Sequence, residues 1–300
     1  MAQNGTISFD SLLPAEMAQK AENAGVAKAQ LGKWRMLALS VLAGAFIALG
    51  AVFATTVTTG GGEAMPYGVV KFLGGFVFCL GLILVVVAGA ELFTGNNLIV
   101  MAWASKKVST RQLLRNWGIV YLGNFIGAIF TAVILFFSQQ YMSANGALGV
   151  NALNIANSKV HLGFVQAIIL GIMCNALVCL AVWLCMSTRT TTDKILAIIF
   201  PITAFVAAGF EHSVANMYFI PIGIFIKDLA PAEFWQAAGV NAATYADLTW
   251  SNFFFVNLLP VTIGNIIGGA VMVGLVYWYI YLRPYRHQSV EEESILQAGD

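Results

Sequence analysis

The sequence predicts an all-α protein that crosses a membrane six times, in two inverted three-helix repeats with broken second and fifth helices. Composition is the first reason, since 59% of the 300 residues are hydrophobic and 10% are charged, against about 25% charged in ordinary globular proteins. The second is a series of six long apolar runs separated by short polar stretches. The third is a set of motifs that occurs twice in the same order. These observations exclude a soluble globular chain and a disordered one.

Composition and missing motifs also exclude several classes of function. With 15 Lys and Arg against 14 Asp and Glu, the net charge gives no basis for a nucleic-acid partner. The motifs His-Glu-x-x-His and Gly-x-Ser-x-Gly do not occur, so we expect no metal site, no cofactor and no enzyme. The cysteines all lie inside apolar runs, where they are interpreted as small core residues: Cys79, Cys174, Cys179 and Cys185.

The first element is a polar segment, residues 1–33, which lacks the apolar centre of a signal peptide and is therefore expected to stay in the cytoplasm. From Pro14 to Val26 its pattern predicts a short amphipathic helix, entered through Asp10 or Ser11 as the N-cap. Two interpretations are open: an anchor at the membrane interface, or a movable plug that gates a pore.

The next elements are six regions long enough to cross a hydrocarbon core about 30 Å thick. Twelve of the 15 Lys and Arg lie on one side of the resulting arrangement, so the positive-inside rule predicts that both termini are cytoplasmic. A short outer helix is expected at 231–239. Residues 34–282 would then form the transmembrane channel domain and residues 283–300 a cytoplasmic tail. The six regions are 34–58, 66–104, 111–139, 162–187, 194–226 and 250–282.

The second and fifth regions are too long to be single straight spans, since each would reach roughly 50 Å at 1.5 Å per residue. Each contains the pattern Gly-x-Glu-x4-Asn, with Glu91 and Asn96 in the second region and Glu211 and Asn216 in the fifth. We therefore expect both helices to break at this pattern. A structural role for both glutamates, as helix caps or as partners of Lys159, is an open alternative to a role in transport.

The third and sixth regions share a longer pattern, in which an asparagine stands between two glycines. Asn124 follows Gly123 in the third region, and Asn265 follows Gly264 in the sixth, 141 residues later. Because each repeat contains three spans, the two copies must have opposite orientations, as in many transporters. The glycines are interpreted as close helix contacts, and the asparagines as partners of free backbone at the breaks.

The chemistry predicted for the breaks depends on His212, because His212 is the only histidine inside a span. Apolar side chains around it are expected to form collars that exclude water and bare ions. Desolvation costs several kcal/mol per ion, so a small carboxylate beside a neutral imidazole would cross more easily as its neutral acid. The residues assigned to the collars are Phe78, Leu82, Leu92, Phe93 and Phe205.

The chain resembles the formate–nitrite transporter family over nearly its whole length. The resemblance rests on Phe9-Asp10-Ser11-Leu12-Leu13-Pro14, Met65-Pro66-Tyr67-Gly68, Gly81-Leu82-Ile83-Leu84, Glu91-Leu92-Phe93-Thr94, Gly209-Phe210-Glu211-His212-Ser213-Val214-Ala215-Asn216-Met217 and the run from Pro260 to Gly269. It implies a homopentamer of aquaporin-like protomers in the lipid bilayer of the bacterial inner membrane, each with its own pore.

The same resemblance implies the roles of individual residues. It places a substrate loop at Leu92, Phe93 and Thr94, with a central His212 as proton relay and Thr94 as hydroxyl partner of the anion. It also surrounds the site with polar residues: Lys159 in the outer vestibule, with Asn175, Glu211 and Asn216.

Three classes of function are open from the sequence: passage of weak-acid anions, passage of neutral solutes and docking of a partner. We expect bidirectional passage of formate, with nitrite and other small monovalent weak-acid anions as secondary substrates. Because Glu91-Leu92-Phe93-Thr94-Gly95 resembles the nitrite-type members, a nitrite-preferring protein is an alternative, and so is an aquaporin-like pore for neutral solutes. A third class of function would use residues 1–33 to dock a cytosolic, formate-producing enzyme.

Overall fold

The computed structural model describes residues 10–283, apart from the side chain of Glu63. All regular secondary structure in this part of the chain is helical, which confirms the predicted all-α class. The predictions for residues 1–9 and for the tail at 284–300 lie outside the described residues. The described part contains thirteen numbered helices and short 3-10 turns, and the last helix, α13, is partly π-helical. The α-helices are α1 (Pro14–Gln30), α2 (Lys33–Thr58), α3 (Gly61–Ala64), α4 (Tyr67–Ala88), α5 (Phe93–Asn96), α6 (Val100–Ala104), α7 (Thr110–Phe137), α8 (Ala147–Val160), α9 (Phe164–Ser187), α10 (Thr191–Ala207), α11 (Ser213–Leu229), α12 (Ala232–Ala238) and α13 (Asn252–Leu282).

Five of these helices, α2, α4, α7, α9 and α13, are long and apolar enough to cross a membrane, or up to six if the bent pair α11 and α12 counts as one span. The fifth predicted region is divided between α10 and α11, which have 17 residues each. Helix α13 contains π-helical stretches at Asn252–Leu258, Ile267–Leu275 and Trp278–Leu282.

Both expected breaks are present, and both have the same backbone geometry. After α4, Gly89 has φ +82°, and after α10, Gly209 has φ +73°, a left-handed conformation that costs glycine little. The next amide closes each helix end: Ala90 N–H donates to the carbonyl of Val85 at 2.9 Å, and Phe210 N–H to that of Phe205 at 3.0 Å. The chain then runs extended before α5 and α11 begin.

Helix α1 confirms the predicted N-terminal helix but not its cap. The N-cap is Leu13, not Asp10 or Ser11, because Pro14 occupies the first turn and the Glu16 carboxylate accepts the Leu13 N–H at 2.8 Å. The helix packs on the bundle at the end where α2 and α7 begin and α9 ends. Lys20 Nζ donates to the carbonyl of Met186 there at 2.8 Å.

Helix α8 was not predicted from the sequence. It precedes α9 as α1 precedes α2, at the opposite end of the bundle, so the repeated unit contains this extra helix in both halves. The short helix expected at 231–239 is present as α12, and a 3-10 turn at Ala242–Tyr245 follows it before α13 begins.

The repeated glycines do bring helices into close contact. A Cβ on Gly127 of α7 would collide with the Val41 carbonyl of α2, and one on Gly268 of α13 with the Ile172 carbonyl of α9. Small residues at such crossings let two backbones approach. This close packing holds α7 against α2 and α13 against α9.

Candidate functional site

The first break is held by a charged cluster that joins α1 to the bundle. The Lys28 ammonium lies 2.7 Å from Glu91 Oε1, and Asn96 Nδ2 donates to Glu91 Oε2 at 2.7 Å. Asn96 Nδ2 also donates to Asn116 Oδ1 at 3.0 Å, and Asn116 Nδ2 donates to the Lys28 carbonyl at 3.2 Å. The Glu91 side chain is 7% exposed, so its charge is compensated inside the protein.

The second break repeats this cluster atom for atom. The Lys159 ammonium lies 2.7 Å from Glu211 Oε1, and Asn216 Nδ2 donates to Glu211 Oε2 at 2.6 Å. Asn216 Nδ2 also donates to Asn257 Oδ1 at 2.7 Å, and Asn257 Nδ2 donates to the Lys159 carbonyl at 2.9 Å. The predicted pairing of Lys159 with one of the two glutamates is therefore present, and Lys28 takes the same position toward the other.

Asn124 and Asn265 tie the extended backbone of the breaks to the neighbouring helices. Asn124 Nδ2 donates to the carbonyls of Ser40 and Glu91 at 2.8 and 2.9 Å, and its Oδ1 accepts the Phe93 N–H at 2.9 Å. In the other half, Asn265 makes the equivalent three bonds, two of them to Glu211 O and Ser213 N, both at 2.9 Å. These amides satisfy backbone groups that a broken helix leaves unpaired.

His212 lies between the two halves and makes one hydrogen bond to each. Its Nδ1 accepts the Ala215 N–H at 3.0 Å, which caps α11, and its Nε2 lies 3.1 Å from Thr94 Oγ1 in the first break. Because an accepting Nδ1 carries no proton, a neutral ring has its proton on Nε2 and donates to Thr94. This arrangement leaves the hydroxyl hydrogen of Thr94 available as a donor.

Asn175 of α9 supports Thr94 from behind. Its Nδ2 donates to Asn97 Oδ1 at 2.9 Å, to the Asn265 carbonyl at 2.7 Å and to the Thr94 carbonyl at 3.3 Å. Its side chain is fully buried. Asn175 therefore fixes the backbone of the first break relative to the second.

All five residues assigned to the collars are buried, and they form two groups. The Phe78 and Phe205 rings meet edge to face at 5.7 Å, and Phe205 stacks on His212 at 5.9 Å. Leu92 precedes α5, and the Phe93 ring packs edge to face on Tyr121 at 4.9 Å. Leu82 lies one helical turn beyond Phe78 on α4 and is 2% exposed.

A cavity of about 490 Å³ reaches His212 from the end of the bundle opposite α1. Polar and apolar residues line it together, and Phe78 and Phe205 lie at its deep end. Lys159, Glu211, Asn216 and His212, four of the six predicted site residues, belong to its lining. Thr94 and Asn175 do not line it, but they contact each other behind His212.

Sequence reasoning missed Lys28, Asn116 and Asn257. The signal was present: Lys28 and Lys159 each end a helix just before the first span of a repeat, and the two asparagines open the shared pattern of the third and sixth regions. In residues 10–283, no group of three His, Cys, Asp or Glu side chains is placed to hold a metal ion.

A bundle of apolar helices with a duplicated polar centre at two broken helices defines a multi-pass membrane protein of the channel and transporter class. The sequence model described as formate/nitrite transporter matches residues 15–279. The chain therefore belongs to the formate/nitrite transporter family, whose described relatives are channels and transporters and not enzymes.

Named relatives and solved structures agree with this assignment. The chain is 50% identical to the formate channel FocA of Escherichia coli strain K12 over 279 residues, which is 93% of this chain and 98% of the relative. It is 45% identical to FocA of Haemophilus influenzae, with the same shares covered. A solved structure described as a pentameric formate channel with formate bound superposes with a TM-score of 0.80 at 51% identity, over 83% of this chain and 98% of that one.

A more distant solved structure has the same fold. It is described as an FNT family ion channel, and it superposes with a TM-score of 0.74 at 28% identity, over 88% of this chain and 98% of that one. The predicted fold class is confirmed by both neighbours.

Proposed function

We propose that this protein is a bidirectional channel or transporter for formate in the bacterial inner membrane, with nitrite and similar small weak-acid anions as secondary substrates. The observation that carries the proposal is the hydrogen bond between His212 and Thr94, where a buried imidazole and a hydroxyl meet at the deep end of a cavity. The naming of relatives at 45% and 50% identity as formate channels supports formate as the substrate. Membership of this family favours a weak-acid path over a pore for neutral solutes.

Lys159 would present positive charge to an anion that is already inside the cavity. Its ammonium is held by Glu211 and lies 5.4 Å from the centre of the Phe219 ring, and Asn216 in turn orients Glu211. An ammonium fixed in this way offers positive charge to a solute without moving. Glu91, Asn96 and Lys28 would provide the equivalent group on the other side of the centre.

The collars would exclude the hydrated anion and water at the centre. Phe78 and Phe205 stand on the cavity side of His212. Leu82 lies one helical turn further along α4, toward the first break, to which Leu92 and Phe93 belong. An anion without its hydration shell is costly in such a place, whereas a neutral acid is not. The proton would therefore have to meet the anion near His212 and Thr94.

The role of His212 as a proton relay carries one structural requirement. A doubly protonated imidazole donates from both nitrogens, so Nδ1 can take a proton only after it releases the Ala215 N–H. Relay and capping of α11 are thus alternatives for the same nitrogen. The relay would proceed by transient release of this cap, uptake of a proton at Nδ1 from solvent in the cavity that His212 lines, and transfer of the Nε2 proton to the anion beside Thr94. The ring is then neutral again.

The proposal also includes an assembly and a membrane topology. A homopentamer is supported by the pentameric assembly of the similar solved structure. Cytoplasmic termini are supported by the distribution of Lys and Arg, and residues 1–33 would then gate the inner end, where α1 lies. A cytosolic formate-producing enzyme that docks on this segment is part of the proposal, and it would be tested by recovery of partners with and without residues 1–33.

The test of the function is formate flux into proteoliposomes that contain the purified protein, with current and internal pH recorded together between about pH 5 and 8. Saturable uptake with internal acidification and little current is expected. Current without acidification would contradict the relay, and the absence of formate uptake would contradict the proposed function. Nitrite is then compared in the same vesicles.

His212→Asn separates the two tasks of the imidazole. Asparagine is a good N-cap residue, so its Oδ1 can still accept the Ala215 N–H, but it cannot relay a proton. We expect a thermal unfolding temperature near that of the wild type and a loss of acid-coupled uptake of about 100-fold.

Thr131→Val is the matched control for Thr94→Val, because the Thr131 hydroxyl bonds only to the Gly127 carbonyl of its own helix. Unchanged acid-coupled uptake in His212→Asn would contradict the relay.

A further inference from the structure

We infer that Lys71 is the residue that draws anions into the cavity, ahead of Lys159 and the central site. This inference rests on the proposed function, because it assigns a specificity-determining residue to the same path. Lys71 lines the cavity that ends at Phe78, Phe205 and His212. It is partly exposed, so its ammonium can meet a solute that has not yet lost its hydration shell.

The position of Lys71 on α4 directs it toward the path. In an α-helix, residues separated by three, four or seven positions share a face, so Lys71 shares a face with Gly74, Gly75 and Phe78. Phe78 lies seven residues further along, at a rise of about 10 Å. The two glycines between them leave that face without side chains, and Gly74 also belongs to the cavity lining.

The charge of Lys71 is not compensated in the way that the charge of Lys159 is. Lys159 forms an ion pair with Glu211 at 2.7 Å. Among the side chains that the structure describes, no carboxylate lies within ion-pair distance of Lys71, and its ammonium lies 5.4 Å from the centre of the Tyr67 ring. The neutral polar residues of the lining, Asn151 and Ser158 among them, add no charge. Among the lining residues that the structure describes, Lys71 therefore supplies the net positive charge.

A charge in this position acts on capture and not on the central step. Clefts lined with one sign of charge raise the local concentration of the opposite ion and its rate of entry by about 10-fold or more. Such long-range attraction is screened by salt, because the Debye length falls from about 30 Å at 0.01 M to about 3 Å at 1 M. The effect of Lys71 should therefore appear at low formate and low ionic strength, and disappear at high ionic strength.

The experiment measures initial formate uptake by the full-length protein in vesicles of neutral lipid, at ionic strengths of about 0.01 M and about 1 M. Sodium gluconate serves as the bulky, inert salt, and protease access to the N-terminal segment gives the fraction of protein in each orientation. At subsaturating formate and low salt, Lys71→Gln should reduce uptake by about threefold to tenfold. At high salt the two proteins should agree within about twofold, and at saturating formate they should agree at both salts.

Three further variants test whether uptake depends on the charge of residue 71 or on the shape of its side chain. Lys71→Arg should restore wild-type uptake, and Lys71→Glu should fall below Lys71→Gln at low salt. Lys227→Gln is the control for position, because Lys227 also carries a positive charge near this end but is paired with Asp228 at 3.1 Å, donates to the Leu248 carbonyl at 2.7 Å and does not line the cavity. Its uptake should stay at the wild-type value.

Each outcome decides the inference separately from the proposed function. Wild-type protein without formate uptake would overturn the function itself. Wild-type uptake with an unchanged Lys71→Gln at low salt would overturn only the inference. A loss in Lys71→Gln that persists at 1 M salt, or a Lys71→Arg variant that does not recover, would assign Lys71 a structural role and overturn capture by charge.

Discussion

At the scale of single residues, Leu92 and His212 occupy equivalent positions in the two breaks but differ in chemistry. Each is the extended residue before a helix, and each carbonyl accepts an amide from an asparagine, Asn96 or Asn216, at 2.9 and 3.0 Å. Leucine forms this backbone as well as histidine does. The fold therefore does not require an imidazole at the break, and the presence of His212 in one half alone points to the chemistry of the solute path.

A second histidine, His161, gives a prediction on pH dependence outside the membrane-spanning helices. The Asn157 carbonyl, 2.7 Å from Nδ1, and then Asp247, 3.2 Å from Nε2, raise the pKa of His161 above its ordinary value of 6.5. A raised pKa in the folded protein means that the stabilisation is complete below pH 6.5 and is lost as pH rises through the folded value. We expect the His161→Gln variant to approach the thermal stability of the wild type as pH increases.

NMR titration of the His161 ring checks the cause. The folded pKa should exceed 6.5, and Asp247→Asn should lower it only partly, because the Asn157 carbonyl remains. A pKa at or below 6.5 in the wild type would contradict this account. His161→Gln also serves as its own control at high pH, where both proteins carry a neutral side chain.

At the scale of elements, two glycines of α7 should respond in opposite directions to the same substitution. A Cβ on Gly127 would meet the Val41 carbonyl of α2, whereas a Cβ on Gly118 meets nothing within 4 Å. Gly127→Ala should therefore cost about 1–3 kcal/mol through overpacking, and Gly118→Ala should gain about 0.5–1 kcal/mol through the lower entropy of the unfolded chain. Thermal unfolding of the two purified variants measures both, and equal effects would refute the close contact.

The ion pair between α1 and the first break should stabilise the docked position of that helix. Lys28→Met leaves the Glu91 carboxylate without its cation. Because the Lys28 side chain is 33% exposed, we expect a loss of about 2 kcal/mol, below the 3–5 kcal/mol of a fully buried pair.

The double variant Lys28→Met/Glu91→Gln should recover more than half of this loss, since no unpaired charge remains. Lys33→Met, on the exposed start of α2, is the control and should change stability by less than about 0.5 kcal/mol. Failure of the double variant to recover would show that the methylene chain of Lys28, and not its charge, holds α1 in place.

Elements that are determined by residues in their own segment were predictable from the sequence. Elements whose role depends on the other repeat were not. The two breaks followed from the length of the apolar regions and from Gly89 and Gly209 in a repeated pattern. Helix α8 was missed because 14 residues are too few to cross a membrane, and its meaning appears only when it is placed opposite α1. The π-helical stretches of α13 have no signal in the apolar pattern.

The candidate site, too, was predictable from the sequence only where its residues have a pattern within their own segment. The duplicated Glu and Asn positions could be read from their spacing, as could a histidine inside a span. The contact between Thr94 and His212 joins residues 118 positions apart, and no periodicity in either segment predicts it. Lys28 was missed for a related reason: a lysine in a polar segment has no pattern of its own until the repeat shows its counterpart, Lys159.

At the scale of the whole molecule, the inverted repeat places a lysine, a glutamate and an asparagine on each side of one central histidine. A solute that enters from either end meets the same chemistry, which agrees with passage in both directions. The halves differ at their ends, because α1 packs over the end where α2 begins, while the end with Lys71 and Lys159 opens into a cavity. Control of flow is therefore expected at the α1 end and capture at the cavity end.

Control at the α1 end and capture at the cavity end correspond to the inside and outside of the cell only if the α1 end faces the cytoplasm. Single cysteine substitutions can test that orientation. The four native cysteines are buried, so they give little background with a thiol reagent that cannot cross membranes. Arg111 is exposed at the start of α7, near α1, and Glu233 is exposed on α12, at the opposite end. In intact spheroplasts, Glu233→Cys should be labelled and Arg111→Cys should be labelled only after permeabilisation, as the positive-inside rule requires. The reverse pattern would put the cavity and Lys71 on the cytoplasmic side, and Lys71 would then act on the efflux of formate and not on its entry.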